Sequence, residues 1–278
     1  MKTKSVWSND DCPGQQAREA LEKAPFIASP ALRWALFIGA VLYLIAAMYS
    51  IEVNWARVYR GLDRGWQFVA AFSNPDFASR AYEIRVGLTE SVVMALASTI
   101  VGIGISIPIG LGAARNISIL PVYLVCRSIV ALSRALNEIV VAILLVAIFG
   151  FGPLAGFLTL SFATIGFLSK LLAEEIENMD KVQAEAIRAT GASWLQRYVF
   201  GVHPQVVPRL IGLSVYRLDI NFRESAVLGI VGAGGIGATL NTSFDRYEFD
   251  TAAAILLVII VAVMALEYLS GIVRAKVQ

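Results

Sequence analysis

Four long, uncharged apolar runs constrain this chain more than any other feature of its sequence. They cover residues 34–51, 91–114, 139–169 and 251–266. A helix needs about 20 apolar residues to cross roughly 30 Å of hydrocarbon. With 57% hydrophobic residues, 16% charged residues and a mean hydropathy of +0.68, the chain is predicted to be an integral membrane protein rather than a soluble domain.

Charge and residue content argue against several other classes of protein. The net charge of +2 is too small to indicate a nucleic-acid partner. Cys12 and Cys126 suggest no disulfide framework, and His203, the only histidine, cannot supply a His-based metal cluster or a catalytic triad within one chain. No GxxxxGK[ST] phosphate loop occurs. We therefore expect no catalytic site, no metal site and no cofactor in this chain.

The hydropathy pattern predicts an all-α, polytopic membrane protein with about six transmembrane helices. Residues 1–33 are predicted as a cytoplasmic tail without a cleaved signal peptide, 34–84 as the first helix with an external loop, and 85–278 as the main transmembrane domain. A cytoplasmic loop is expected at about 179–204. The predicted helices are 34–51, 88–114, 119–149, 153–178, 206–231 and 249–273.

The distribution of Lys and Arg orients these helices. The N-terminal tail carries five such residues and the C-terminal end carries Arg274 and Lys276, whereas the loop near 239–250 is mainly acidic. With six crossings, both termini and the 179–204 loop are expected in the cytoplasm. Segment 52–87 is then external despite its five arginines, which conflicts with the positive-inside rule.

Two glycine-containing patterns indicate close packing. Ser98, Gly102, Ser106 and Gly110 recur every fourth residue, so they form one stripe along a helix where backbones can approach closely. Residues 232–237 formally match the dinucleotide pattern G-x-G-x-x-G, but no strand precedes them and no βαβ unit surrounds them. Backbone freedom or close helix contact is the better interpretation.

Charged residues inside the third and fifth predicted helices must face the interior of the helix bundle. Each charge near a helix centre costs roughly 2.5–3.5 kcal/mol on insertion scales. Such groups either line a pathway for a polar solute or form internal ion pairs, for which Arg134 with Glu138 and Asp219 with Arg223 have the i, i+4 spacing. The candidate pathway residues are Arg134, Asn137, Glu138, Arg217, Asn221 and Arg223.

The polar segment at 179–204 predicts two short helices separated by a sharp break. Asp180 with Gln183 and Ser193 with Gln196 both have the spacing of a capping box. Gly191 suits the left-handed position just beyond a helix end. Alone, these signals favour an ordinary cytoplasmic connector between two membrane helices.

Residues 185–204 nevertheless resemble the cytoplasmic coupling loop of bacterial ABC importer permeases. Ile187, Gly201 and His203 depart from that pattern. Val182, Ala186 and Ala189 are predicted to line one side of the first short helix, where small side chains would let it lie in a cleft of a partner protein. The matching positions are Glu185, Ala186, Gly191 and Pro204.

A wider resemblance, at 133–156, 203–225 and 227–237, is to the phosphonate-type branch of these permeases. It implies a type I importer permease in the bacterial cytoplasmic (inner) membrane, carrying phosphonate or a related phosphorus oxyanion by alternating access. The implied partners are a second copy of the chain, two cytoplasmic ATPase subunits that bind ATP and Mg, and an external substrate-binding protein. The alternatives are a permease for another small solute, such as an amino acid, or an ion-gradient-driven carrier.

Overall fold

The computed structural model describes residues 29–50 and 54–277 of the protein. Within these two ranges every regular element is helical. The chain divides into two compact units, residues 1–63 and 64–278. Among the described residues, four helices are long and apolar enough to cross a membrane, and a bent pair adds a fifth span if it is counted as one.

The first unit contains α1 (Pro30–Ser50), which begins slightly before the predicted helix at 34–51. None of its described residues is buried. A second helix, α2 (Trp55–Ala71), begins in the first unit and ends in the second. Sequence reasoning placed only a loop here. The structure instead forms an amphipathic helix that carries three of the five arginines of segment 52–87.

The second unit contains the remaining helices. The predicted single helix at 119–149 is wrong, because this stretch forms two helices, α4 (Leu120–Ala135) and α5 (Glu138–Phe149), which are bent by 93° relative to each other. After α8 (Trp194–Arg197), a π-helical turn (Tyr198–Val202) leads directly into α9 (His203–Ile230). The helices are α3 (Ala81–Ala113), α4 (Leu120–Ala135), α5 (Glu138–Phe149), α6 (Pro153–Asn178), α7 (Lys181–Ala189), α8 (Trp194–Arg197), α9 (His203–Ile230), α10 (Ile236–Asp245) and α11 (Phe249–Val277).

The small-residue stripe of α3 packs against α6. A Cβ added at Gly102 would clash with the side chain of Thr164, and one added at Gly110 would lie 2.8 Å from Leu172. Between these contacts, the Ser169 hydroxyl donates to the backbone oxygen of Ser106 at 3.3 Å. All four stripe residues are buried. The prediction of close helix packing is confirmed.

The glycine-rich segment 232–237 joins α9 to α10 and is held by the start of α3. The backbone N–H of Gly235 donates to Glu90 Oε2 at 3.0 Å, and that of Ile236 donates to Ser91 Oγ at 3.0 Å. A Cβ at Gly237 would clash with the backbone oxygen of Ala226. The segment therefore serves close backbone contact, as the sequence predicts.

Candidate functional site

The break between α4 and α5 creates the first candidate site. Asn137 has extended backbone angles (φ −72°, ψ 138°), and its side-chain oxygen accepts the Ile139 N–H at 2.9 Å. Asparagine is a preferred N-cap because this bond satisfies a free backbone donor. Glu138 follows in the first turn of α5, where the helix dipole favours a negative charge. The local sequence thus starts a new helix inside an otherwise apolar stretch.

A cavity of about 530 Å³ lies beside this break, and we call it the polar cavity. It is bounded by the end of α4, the start of α5, and side chains of α6 and α9. Two further lining residues that could take part in binding, Phe167 and Glu224, were not among the candidates from the sequence. Four of the six predicted pathway residues line it: Arg134, Asn137, Glu138 and Arg217.

Arg217 is the most constrained of these side chains, being only 3% exposed. Its Nη2 lies 3.1 Å from Glu138 Oε1 and 3.3 Å from Glu224 Oε2, and its Nε donates to Thr164 Oγ1 at 3.2 Å. Its guanidinium also lies 5.4 Å from the ring centroid of Phe167. Arg217 thus pairs with two carboxylates at the wall of the polar cavity.

The predicted ion pair between Arg134 and Glu138 is wrong. Glu138 pairs with Arg217 instead, because the helix ends at Ala135 and the i, i+4 geometry is lost. The exposed Arg134 guanidinium lies 6.0 Å from the ring centroid of Phe167. Within the described part of the chain, no carboxylate lies within 4.0 Å of it. Arg134 therefore brings to the cavity a positive charge that no carboxylate of the described residues pairs with directly.

The last two predicted pathway residues do not line the polar cavity. Asn221 is fully buried, and Arg223 pairs with Asp219 one turn away on α9, as its spacing predicts. Asn221 ties α9 to α3 and α6, because its amide donates to the hydroxyls of Ser98, Thr99 and Thr164 at 3.4, 2.8 and 2.9 Å. The six predicted residues therefore do not form one site: four line the polar cavity, Asn221 lies in the buried interior, and Arg223 pairs with Asp219.

The second candidate site is the elbow, residues 180–204. Asp180 caps α7 by accepting the Val182 N–H at 2.9 Å. The predicted reciprocal bond to Gln183 is wrong, because the Asp180 N–H donates to Gln205 Oε1 of α9 at 3.1 Å. The start of α7 is therefore capped by the Asp180 side chain and also linked to α9.

The second half of the elbow follows the prediction. The Ser193 N–H donates to Gln196 Oε1 at 2.8 Å, and the Gln196 N–H donates to Ser193 Oγ at 3.4 Å, which completes a capping box. Gly191 has a φ of +81°, the left-handed conformation expected after α7. Pro204 occupies the first turn of α9, where a missing N–H is tolerated.

The elbow exposes small or apolar side chains on both sides of the break at Gly191. On α7 it presents residues spaced at helical intervals, and after the break it presents Leu195 and Phe200, which are 61% and 67% exposed. We define the elbow surface by these two residues together with Val182, Glu185, Ala186 and Ala189.

A polar cluster connects the start of α3 to the start of α11. Arg80 pairs with Glu83 and Glu248, each at 2.8 Å. The Asp76 N–H donates to the backbone oxygen of Asp250 at 3.2 Å. Hydrogen bonds from the hydroxyl and backbone N–H of Ser79, with that of Ala78, lower the pKa of Asp76. This cluster anchors the acidic loop predicted near 239–250.

Comparison with known proteins identifies a matching family and several similar proteins. A family model described as "Binding-protein-dependent transport system inner membrane component" matches residues 106–278. The phosphate-import permease protein PhnE of Mycolicibacterium smegmatis is 40% identical over 84% of this chain, which spans only 44% of that relative. The phosphite transport system permease protein PtxC of Stutzerimonas stutzeri is 34% identical, with 93% of this chain and 96% of that protein covered.

Solved structures share the fold. An inward-facing form of the MetNI methionine ABC transporter matches with a TM-score of 0.63 and 22% identity, covering 71% of this chain and 97% of that chain. An amino acid ABC transporter matches with a TM-score of 0.61 and 18% identity, covering 70% and 94%. At these identities the likeness concerns the fold alone.

Proposed function

Because this chain belongs to the family of binding-protein-dependent transport system inner membrane components and has the type I ABC importer permease fold, we propose that it lines the pathway of an ATP-driven importer for phosphonate or a related phosphorus oxyanion. The observation that supports an anionic cargo is the polar cavity, where no carboxylate of the described residues lies within 4.0 Å of Arg134. The named cargoes of its relatives, phosphate and phosphite, agree with it.

The physical argument for an anionic cargo concerns charge in a low-dielectric region. An anion in such a region needs positive charge or hydrogen-bond donors close by. Arg217 is already held by Glu138 and Glu224, so Arg134 is the cation that remains for the cargo. A cavity of about 530 Å³ lies within the size range of small-ligand sites.

We further propose that the elbow surface docks onto a cytoplasmic ATPase subunit. The complete importer would contain two copies of this chain, two ATPase subunits that bind ATP and Mg, and an external substrate-binding protein. Glu185, Ala186 and Ala189 would lie in the ATPase cleft. Gly191 follows the end of α7, and Pro204 lies in the first turn of α9. Because α9 also carries Arg217, movement of the elbow would be transmitted to the wall of the polar cavity. The Asp180–Gln205 bonds provide a second link to α9.

In this arrangement the elbow and both chain termini face the cytoplasm, and the polar cluster near Arg80 faces outward. Arg274 and Lys276 in the last turn of α11 support a cytoplasmic C-terminus. ATP-driven closure of the ATPase pair would then open the pathway outward, and its release would open the pathway inward.

The cargo is tested by reconstituting the chain in lipid vesicles with the ATPase and binding protein of its own organism. Phosphite, phosphate, methylphosphonate and methionine are offered separately as labelled solutes. We expect ATP-dependent accumulation of a phosphorus oxyanion that also requires the binding protein. Accumulation of methionine alone would contradict the cargo, and uptake without the ATPase would contradict ATP-driven transport.

The docking role is tested separately by an Ala186→Glu variant, which places a bulky charge on the elbow surface. The matched control is Ala275→Glu, at an exposed position near the end of α11. Co-purification with the ATPase should be lost in the first variant and retained in the second. Equal retention of the ATPase in both variants would refute the proposed docking surface.

A further inference from the structure

The basic side chains of α4, α6 and α9 fall into two groups. On α6 and α9 four of them pair with carboxylates. On α4, Arg127 and Arg134 have no carboxylate within 4.0 Å among the residues that the structure describes. The four paired cations are Lys170 with Glu174 at 3.6 Å, Arg209 with Glu175 at 3.0 Å, Arg217 with Glu138 and Glu224, and Arg223 with Asp219.

The two arginines of α4 share one face of their helix. They are seven residues apart, which is two helical turns and about 10 Å along the axis. Arg134 lines the polar cavity. Arg127 lies two turns nearer the start of α4, which the proposed orientation places toward the cytoplasm. The pair therefore extends from the cavity in the direction that an imported solute must take.

One nitrogen atom of the Arg127 guanidinium lacks the hydrogen-bond partner that a buried donor normally has. Its Nη1 is buried and has no hydrogen-bond partner in the described ranges 29–50 and 54–277. A buried donor without an acceptor is unfavourable, and native structures contain few of them. Among the described residues none supplies the missing acceptor, and an oxyanion provides several acceptor oxygens of the right charge.

We infer that Arg127 is a second contact for the transported oxyanion, so that Arg127 and Arg134 form a two-residue track along α4. The planar guanidinium suits this task because it binds phosphate-like oxygens through two parallel N–H bonds. Arg217 has a different role, since it holds Glu138 and Glu224 in position. This inference rests on the proposed function, and it adds Arg127 to Arg134 as a second residue that contacts the transported oxyanion.

The binding prediction is tested by arginine labelling of the purified full-length chain. Phenylglyoxal modifies accessible guanidinium groups, and mass spectrometry reports the extent at each arginine. Inorganic phosphate should protect both Arg127 and Arg134, and should leave the exposed Arg246 unprotected. Protection of Arg134 without protection of Arg127 would overturn the second contact.

The transport prediction is tested in the reconstituted importer with R127Q, R134Q and the charge-preserving R127K. Loss of a charge-assisted hydrogen bond is expected to lower oxyanion uptake about tenfold in R127Q, with ATPase association unchanged and R127K retaining part of the uptake. The control is K170Q, which removes a paired cation. Wild-type uptake in R127Q would contradict the inference, whereas a wild-type complex that moves no phosphorus oxyanion would contradict the proposed function instead.

Discussion

The polar cavity and the elbow differ in where their side chains find partners. In the cavity wall, Arg217 is almost fully buried and has three side-chain partners, two of which lie on other helices. On the elbow surface, Val182 is 70% exposed and its neighbours on the same face are exposed too. The cavity is therefore built by the chain itself, whereas the elbow surface is suited to contact with another protein.

This difference separates the two kinds of mutation that can inactivate such a protein. Changes at the cavity wall should alter the stability of the isolated chain. Changes on the elbow surface should leave the isolated chain intact and alter only its assembly. Measurements on the chain alone and on the complex can therefore distinguish the two regions.

The largest expected effect is that of Arg217→Met. Removing the cation leaves the carboxylates of Glu138 and Glu224 without their counter-charge, which should cost about 3–5 kcal/mol of stability. Thermal unfolding of the purified chain in detergent measures the loss, with Arg246→Met as an exposed control. An unchanged unfolding temperature would mean that the cavity wall does not depend on this ion pair.

Asn221→Ala should have the next largest effect. The substitution removes the amide that joins α9 to the hydroxyls of Thr99 and Thr164, and should cost about 1–3 kcal/mol. Asn241→Ala, which removes an exposed bond to Asp245, is the matched control. Equal unfolding curves for the two variants would show that this buried network contributes little.

Gly191→Ala tests the elbow break. Empty space surrounds the position, so the cost is that of a left-handed backbone at a non-glycine residue, about 1–2 kcal/mol. Hydrogen exchange of the α7 amides should become faster by the corresponding factor. Gly104→Ala, at an uncrowded helical position of α3, should show no such change, and equal exchange in both variants would argue against a strained break.

The smallest expected effect is that of Val182→Ser on the elbow surface. An exposed substitution should change the free energy of unfolding by no more than about 0.5 kcal/mol. The same substitution at buried Val206 should destabilise the chain by about 1–3 kcal/mol, because it places a hydroxyl in the core. A similar loss at both sites would show that Val182 is packed within the chain.

The accurate sequence predictions were those that depend on neighbouring residues. The Ser193–Gln196 capping box, the conformation of Gly191 and the Asp219–Arg223 pair all form within one or two turns. The α3 stripe was also predictable, because spacing of four places its members on one face.

The errors arose where distant residues decide the outcome. Arg134, Asn137 and Glu138 mark the end of α4 at Ala135, but the apolar residues on both sides favoured one long helix in the prediction, although Asn137 is a capping residue. Glu138 forms an ion pair with Arg217 rather than with Arg134, and Asp180 forms a hydrogen bond with Gln205 rather than with Gln183. These partners are brought close only when α9 packs against the other helices, which a pattern along the chain does not contain.

The break at Leu136 and Asn137 has a consequence for the surrounding bilayer. The 12 residues of α5 are about 18 Å long, which is too short to cross roughly 30 Å of hydrocarbon alone. The unpaired peptide groups at the break must therefore sit where acyl chains are kept away. The polar cavity beside the break would keep lipid away from this backbone, and it would give a dissolved ion a wet route deep into the membrane.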